Sequence, residues 1–231
     1  MAQQESSVNI VLFGNTSAAH FGPENILLGQ DQPLPGNSAF SQIVPLSRII
    51  SGRNISVINI LGLEETEISP HSVHQFISQI VKEKEIHAFI FVLQLNQFTD
   101  ANKLGIEWLR NTFGEGALPF VNILFTYERE DECDTIVDDL KKNTVVEQLT
   151  RQCGGRYHTC SKSMNNQSEM RTLLEKIDRL ISENNQSCFT AEIYNTGYRE
   201  LQDRQSQQRA YSSRWLQEEV PIQEDPMKHP K

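Results

Sequence analysis

Cysteine and long apolar segments are both scarce in this chain of 231 residues. Its four cysteines, Cys133, Cys153, Cys160 and Cys188, form no C-x-x-C pair and no metal-site spacing with histidine, which indicates ordinary thiols in a reducing compartment. The longest apolar run, residues 88–93, is far shorter than the ~20 residues that span a bilayer. The first residues show no basic region followed by an apolar stretch. We therefore expect a cytoplasmic protein without a transmembrane segment.

The chain also has fewer basic than acidic residues. It contains 21 Lys and Arg residues and 30 Asp and Glu residues, which gives a net charge of −9. Such a field repels nucleic-acid backbones and anionic membrane surfaces, and no local basic patch offsets it. The apolar share of 38%, with 12 Gly and 9 Pro, excludes collagen-like and wholly disordered chains. We expect a globular protein that does not bind nucleic acid.

Short apolar runs that suit buried parallel strands recur along the chain. They are residues 8–14, 55–61, 88–95, 120–126 and, more weakly, 156–160. Between and after them, apolar residues stand three and four positions apart, as on one face of a helix. These residues are Val73, Phe76, Ile77, Ile80 and Val81, then Leu104, Trp108 and Leu109, then Leu173, Leu174, Ile177, Leu180 and Ile181. The alternation predicts an α/β fold with a mostly parallel central sheet flanked by helices.

The composition changes near residue 185, after which Gln, Arg, Glu and Ser dominate. Tyr194, Tyr198 and Leu201, and later Tyr211 and Trp215, follow one another at helical spacing. This helix either packs back on the domain or binds a partner, and an aromatic stripe favours packing. We expect a disordered N-terminus at 1–7, a globular domain at 8–184, a C-terminal helical extension at 185–220 and a disordered tail at 221–231.

The loop after the first run can be aligned with the phosphate-loop template G-x-x-x-x-G-K-[ST]. A strand that ends in glycine and leads into a helix binds phosphate, because backbone N–H groups and the helix dipole face the anion. Only Gly14 matches the template. Ala19 replaces the second glycine, His20 the lysine and Phe21 the hydroxyl that binds magnesium. Pro23 suits the first turn of the helix expected to follow.

Longer strings carry a family resemblance. Residues 9–16, Asn-Ile-Val-Leu-Phe-Gly-Asn-Thr, and residues 25–29, Asn-Ile-Leu-Leu-Gly, resemble the opening of the immunity-associated (IMAP) GTPases, the family first named from avirulence-induced plant genes. Residues 87–99, His-Ala-Phe-Ile-Phe-Val-Leu-Gln-Leu-Asn-Gln-Phe-Thr, are similar to the box particular to this family between its third and fourth GTPase motifs. Residues 153–158 and 188–194 are similar to its later segments. The resemblance covers residues 8–200 in order.

The resemblance implies a Ras-like P-loop GTPase fold with extra C-terminal helices, in which residues 8–184 form an IMAP-type G domain. It implies GTP or GDP as ligand and other IMAP-type G domains as partners, in homo- or hetero-oligomers formed through the nucleotide-facing surface. By family position, the nucleotide would meet Gly14, Asn15, Thr16, Ser17, Ala18, Ala19, His20, Phe21, Asn59, Gly62, Arg129 and Ser161.

This sequence departs from the family pattern at each motif. The Asp-Thr-Pro-Gly motif aligns with Asn59-Ile-Leu-Gly62, so an amide replaces the carboxylate that holds magnesium through water, while Gly62 remains to meet the γ-phosphate. The Arg-x-Asp motif puts Arg129 where an aspartate would accept two guanine N–H bonds. The family's Asn-Asn pair falls near Ser161, and the asparagines at 165–166 would need a loop insertion to serve.

A magnesium-bound triphosphate needs a cation at its β and γ oxygens, a hydroxyl on the metal and a carboxylate that holds the metal through water, and all three are altered here. Two lost charge-assisted contacts, at ~1.5–3 kcal/mol each, weaken binding by roughly two to four orders of magnitude. A left-handed conformation at Ala19 would cost about 1–2 kcal/mol more. Phe21 is expected to fill the emptied phosphate site or to pack under the first helix.

The leading hypothesis is therefore a pseudo-GTPase that binds GTP or GDP weakly if at all, uses no magnesium, has no catalytic or metal-binding residues and acts through protein interactions. One alternative is a working GTP-binding protein in which Gly14, the backbone amides of residues 15–20 and Gly62 still hold the phosphates. A third reading, from another class, is hydrolysis of a phosphate ester through His20, although His20 is more simply read as a surface or loop-capping residue.

Overall fold

The computed structural model describes residues 7–30, 45–63, 66–95, 100–130, 138 and 142–217. The expected disorder at 1–7 and 221–231 falls outside these residues, apart from Ser7, and so does the end of the predicted extension at 218–220. The described residues form one sheet of six strands. The strands are β1 (Val8–Gly14), β2 (Leu46–Ile50), β3 (Arg53–Asn59), β4 (Ala88–Gln94), β5 (Val121–Tyr127) and β6 (Tyr157–Ser161).

The strand order in the sheet is β2-β3-β1-β4-β5-β6. All neighbouring strands run parallel except the edge pair β2 and β3. The predicted α/β fold with a mostly parallel sheet is therefore confirmed, and the five apolar runs fall on β1, β3, β4, β5 and β6, each shifted by two residues at most. Because β1, β4, β5 and β6 are parallel, their carboxyl ends meet along one edge of the sheet, where ligands of such folds bind.

Five α-helices lie among the described residues. They are α1 (Pro70–Glu83), α2 (Asp100–Phe113), α3 (Thr144–Gln152), α4 (Gln167–Glu183) and α5 (Ala191–Gln217). Local sequence explains where three of them begin, because the side chains of Ser69, Asn143 and Asn166 accept hydrogen bonds from the first turns of α1, α3 and α4. Pro70 opens α1 at a position where a missing N–H does no harm.

The core is built from the apolar strands and from aromatic side chains above them. Phe13 stacks on Phe91, with ring centroids 4.7 Å apart, and Phe89 meets Phe113 and Phe189 edge to face. These rings are fully buried and tie β1 and β4 to α2 and to the segment that leads into α5. On the sheet, α4 contacts β6, β4 and β2. Farther along α4, Asp178 accepts hydrogen bonds at both carboxylate oxygens from the Arg53 guanidinium of β3, at 2.7 and 2.9 Å.

Helix α5 buries side chains against the domain near its start, and an ion pair of Arg204 with Glu115 at 3.5 Å extends the contact to its middle. Tyr194 is fully buried and its hydroxyl lies 2.6 Å from Nδ1 of His74 on α1. Gly197 comes so close to Gly114 that the two backbones touch. In the far half of the helix, by contrast, Tyr211 and Trp215 are 64% and 63% exposed. No helix in the described part of the chain has both the length and the apolar character needed to cross a bilayer.

Candidate functional site

The candidate site lies where the loop after β1 crosses the carboxyl edge of the sheet. Gly14 ends β1 with a φ of 125°, and a Cβ at this position would overlap the carbonyl oxygen of Val92 on β4. Only glycine is suited to both conditions. A 3-10 turn, Thr16–Ala18, follows directly, and the Asn15 side chain caps it by accepting from the Ser17 amide at 2.8 Å.

The helix expected after this loop is not formed within residues 19–30, which make bends and turns. Pro23 therefore does not open a helix, and the expectation is corrected. The buried Asn25 side chain organises the turns instead: its Nδ2 donates to His20 O at 2.8 Å, and its Oδ1 accepts from the amides of Leu27 and Leu28 at 3.0 and 2.7 Å. An asparagine that bonds to nearby backbone in this way competes with the helical hydrogen bonds.

The segment is also bonded to the ends of β5 and β6. The Thr126 hydroxyl donates to Ala18 O at 2.6 Å, and the His20 amide donates to Lys162 O at 2.9 Å. Farther along, the Ile26 amide donates to Met164 O, also at 2.9 Å. The loop after β1 is therefore attached to the β5 and β6 side of the sheet edge.

Most of the amides that would face a phosphate already have partners inside the protein. Besides those of Ser17 and His20, the amides of Ala18, Ala19 and Gly62 donate to Asn15 O, Thr16 O and Gly14 O at 3.1, 3.4 and 2.7 Å. Asn59 is buried, and its Oδ1 accepts from the Leu61 amide at 3.1 Å. Ala19 has a φ of −137°, which is extended, so the strain expected for a left-handed alanine does not arise.

The remaining family-position side chains lie in different surroundings. Phe21 is half-buried and packs against the core, and its expected place in the phosphate site or under a first helix stays a prediction. Arg129 lies on an exposed turn after β5. Ser161 is half-buried, and its amide donates to Glu169 Oε2 at 3.3 Å. The structure thus brings residues 14–20 and Gly62 together at one edge and sets Arg129 on the surface beside it.

Sequence reasoning missed the charged pair at this edge, Lys162 and Glu128. Lys162 Nζ lies 3.0 Å from Glu128 Oε1 and 3.2 Å from Gln94 Oε1. Its hydrogen bond and charge lower the pKa of the Glu128 carboxyl. His20 Nε2 lies 3.8 Å from the same carboxylate oxygen. The signal that could have found the pair is position, since Glu128 and Lys162 each follow the last residue of a parallel strand.

The AIG1 family model matches residues 8–209 of the chain. The chain is 26% identical over 195 residues to GTPase IMAP family member 8 of Homo sapiens, and 24% over 170 residues to that of Mus musculus. These alignments cover 81% and 67% of this chain but only 29% and 24% of the relatives. The chain therefore spans about a quarter of the length of the curated relatives that it matches.

Solved structures agree with this fold. Toc33 of Arabidopsis thaliana in complex with GDP and Mg²⁺ matches with a TM-score of 0.54 at 14% identity, over 80% of this chain and 88% of that one. A dimerization-deficient mutant of Toc33 matches with a TM-score of 0.55, also at 14% identity, over 80% and 87% of the two chains. The likeness confirms the predicted GTPase-type fold. Together with the family match over residues 8–209, it confirms the resemblance read from the sequence: the chain belongs to the AIG1 family, the IMAP-type GTPases.

Proposed function

We propose that this chain is an IMAP-type G domain that binds guanine nucleotide weakly or not at all, does not hydrolyse it, and acts through protein partners. One observation carries the proposal: the amides of Ser17, Ala18, Ala19, His20 and Gly62 already donate to acceptors within the protein. A phosphate must displace these acceptors to bind. Since each internal hydrogen bond contributes about 0.5–1.5 kcal/mol, a nucleotide loses much of the binding energy that such amides would supply.

The side chains support the same proposal. Magnesium demands oxygen ligands, and Phe21 supplies none where the template has a hydroxyl. Asn59 offers a neutral amide whose oxygen already accepts from Leu61. The side chain of His20 is shorter than the lysine of the template and does not extend as far towards a phosphate. Because the residues present do not fit a magnesium nucleotide, we interpret the family-position residues as a remnant of a nucleotide site.

A second candidate is a GTP-binding protein that relies on backbone amides. The likeness to Toc33, which is described in complex with GDP and Mg²⁺, favours it. This function requires the loop after β1 to break its hydrogen bonds with Lys162 and Thr126, so that its backbone amides can donate to a nucleotide. A nucleotide that binds would therefore have to change the loop, which gives the two candidates different experimental signatures.

Isothermal titration with GTP, GDP and ATP, each with and without magnesium, separates the two candidates. We expect dissociation constants weaker than about 10 µM for all three nucleotides and no effect of magnesium. Sub-micromolar, magnesium-dependent GTP binding would support the second candidate and refute the first. The nucleotide content of the purified protein provides a parallel measurement, and stoichiometric GDP that survives dialysis would contradict our proposal.

The partners that we propose are other IMAP-type G domains, bound through the nucleotide-facing surface around His20 and Arg129. We also propose a cytoplasmic location, with which the thiols of Cys153, Cys160 and Cys188 are consistent because they form no disulfide with one another. Light scattering coupled to size-exclusion chromatography tests the association. A strict monomer at about 100 µM, unchanged by an IMAP-type partner, would count against the proposed partners.

A further inference from the structure

A nearly buried ammonium group meets a half-exposed carboxylate at the site edge. The Lys162 side chain is 9% exposed and that of Glu128 is 52% exposed. Lys162 Nζ donates to Glu128 Oε1 at 3.0 Å and to Gln94 Oε1 at 3.2 Å. His20 Nε2 lies 3.8 Å from the same Glu128 oxygen. One carboxylate oxygen is thus faced by two nitrogen-bearing side chains that come from two other segments of the chain.

The fold holds the cationic side of this contact in place through the backbone of Lys162. The Lys162 amide donates to Tyr127 O at 2.8 Å, and Lys162 O accepts from the His20 amide at 2.9 Å, so its backbone is held on both sides. Glu128 begins an exposed turn after β5, and half of its side chain is in water. An ammonium group removed from water requires a compensating partner. The site therefore needs an anion, but the fold does not require that the anion come from Glu128.

We infer that Lys162 and His20 form a binding site for an oxyanion, with Gln94 Oε1 holding the Lys162 ammonium group in place, that the carboxylate of Glu128 is the built-in occupant of this site, and that a carboxylate or phosphate group of a ligand takes its place when Glu128 turns outward. Carboxylate and phosphate oxygens both accept charge-assisted hydrogen bonds from an ammonium group. The inference does not depend on nucleotide binding, because the groups that face the Glu128 carboxylate are side chains and not phosphate-loop amides.

Chemical rescue of Glu128→Ala tests this site in the full chain. The variant removes the occupant and leaves Lys162 in place, so we expect its thermal midpoint to fall and then to recover with added sodium acetate or inorganic phosphate. At an acetate or phosphate concentration of about ten times the dissociation constant, the thermal midpoint should rise by about 3–6 °C. Sodium chloride at equal ionic strength corrects for screening. Glu130→Ala, two residues farther along the same exposed turn, is the matched control and should show no specific response.

A second variant asks whether the ammonium group is what binds. In Glu128→Ala/Lys162→Met, methionine keeps most of the apolar stem and removes the charge, so acetate and phosphate should no longer stabilise the protein beyond sodium chloride. Glu128→Ala/His20→Ala should keep part of the response, since the imidazole lies farther from the oxyanion than Nζ does. Isothermal titration of acetate and phosphate into folded Glu128→Ala gives the same answer without heating.

Each outcome decides the inference. Rescue by acetate alone supports a carboxylate ligand, rescue by phosphate alone supports a phosphate ligand, and rescue by both supports a general oxyanion site. Equal responses in the wild type, Glu128→Ala and Glu128→Ala/Lys162→Met would overturn it, as would no response beyond sodium chloride. The nucleotide proposal is measured on the wild type with GTP and GDP, so its failure is distinguishable from the failure of this site.

Discussion

At the scale of single residues, buried polar atoms hold the loop after β1 against the sheet. Thr126 is fully buried, and its hydroxyl reaches across from β5 to Ala18 O at 2.6 Å. Valine has nearly the same shape but cannot donate, so it would leave the carbonyl without this bond. A buried acceptor that loses its donor costs about 1–3 kcal/mol.

We therefore expect Thr126→Val to lower the free energy of unfolding by about 1–2 kcal/mol, measured by urea denaturation. Thr159→Val is the matched control, because Thr159 lies on the neighbouring strand β6, is half-buried and makes no side-chain hydrogen bond to the described residues. An equal loss in both variants would mean that the Thr126 hydroxyl does not fasten the loop.

A second residue-scale effect concerns pH. Burial lowers the pKa of His158 from 6.5 to about 4, and its Nε2 lies 2.9 Å from Glu169 O. Above pH 6.5 the imidazole is neutral in both the folded and the unfolded chain, so its contribution to stability is fully present. As the pH falls from 6.5 towards 4, the unfolded chain takes up a proton that the folded chain does not, and stability is lost.

We expect the free energy of unfolding to decrease between pH 7 and pH 4.5, and His158→Gln to reduce that slope, because glutamine does not titrate. Urea denaturation at several pH values measures it. His74 and His87, whose pKa values are also lowered by burial, add losses of the same sign that remain in the variant. Thr159→Gln, at the neighbouring position on β6, is the control because it introduces a glutamine without removing a titratable group, and an equal reduction of the slope in that variant would contradict the assignment to His158.

At the scale of elements, the segment after β1 is where sequence reasoning and structure differ most. The phosphate-loop template implies a helix, whereas residues 19–30 form turns around Asn25. The local sequence does contain a signal, since Asn25 can bond to nearby backbone in place of helical hydrogen bonds and Gly29 disfavours a helix. The partners of the loop, Lys162 and Met164, could not be predicted because they lie more than 130 positions away and meet it only through the sheet.

Because the backbone differs, we expect that template side chains alone do not restore nucleotide binding. In Ala19→Gly/His20→Lys/Phe21→Ser, the glycine, lysine and hydroxyl return, but the loop is still bonded to Thr126 and no helix begins within residues 19–30 to direct its dipole at a phosphate. Isothermal titration with GTP and magnesium should give a dissociation constant weaker than about 1 µM. A sub-micromolar value would show that side chains, and not the loop conformation, prevent binding.

The contact between α5 and the domain gives another element-scale prediction. A Cβ at Gly197 would lie 3.2 Å from the Gly114 Cα and 3.4 Å from Phe113 O. We expect Gly197→Val to force the helix away and to cost about 1–3 kcal/mol. Ala210→Val, in the exposed half of α5, is a stringent control, because valine lowers the helix propensity there whereas at position 197 it replaces glycine, a poorer helix former. Amide hydrogen exchange over residues 191–201 should rise only in Gly197→Val, and equal exchange in both would contradict this packing.

At the scale of the whole molecule, the elements that could be predicted from the sequence are the strands with apolar surroundings on both faces. The strands β1, β4 and β5 are covered on both faces and are mostly apolar, so their assignment as buried parallel strands followed from the sequence. The edge strand β2 was missed, because its five residues alternate between partly buried and exposed positions and contain Ser47 and Arg48. The site edge depends on contacts between distant segments, which no local pattern encodes.

The described residues also divide into an apolar core that stabilises the fold and an outer half of α5 that lies outside this core. The buried side chains of this helix end at Tyr194, whereas Tyr211 and Trp215 are mostly exposed and contact each other, with ring centroids 6.1 Å apart. We expect Tyr211→Gln/Trp215→Gln to change the free energy of unfolding by no more than about 0.5 kcal/mol, since exposed substitutions rarely do more. Tyr194→Ala removes a buried ring and should cost about 3 kcal/mol or more. Urea denaturation of both variants measures the contrast, and a comparable loss in the double variant would show that the stabilising core extends along the entire helix.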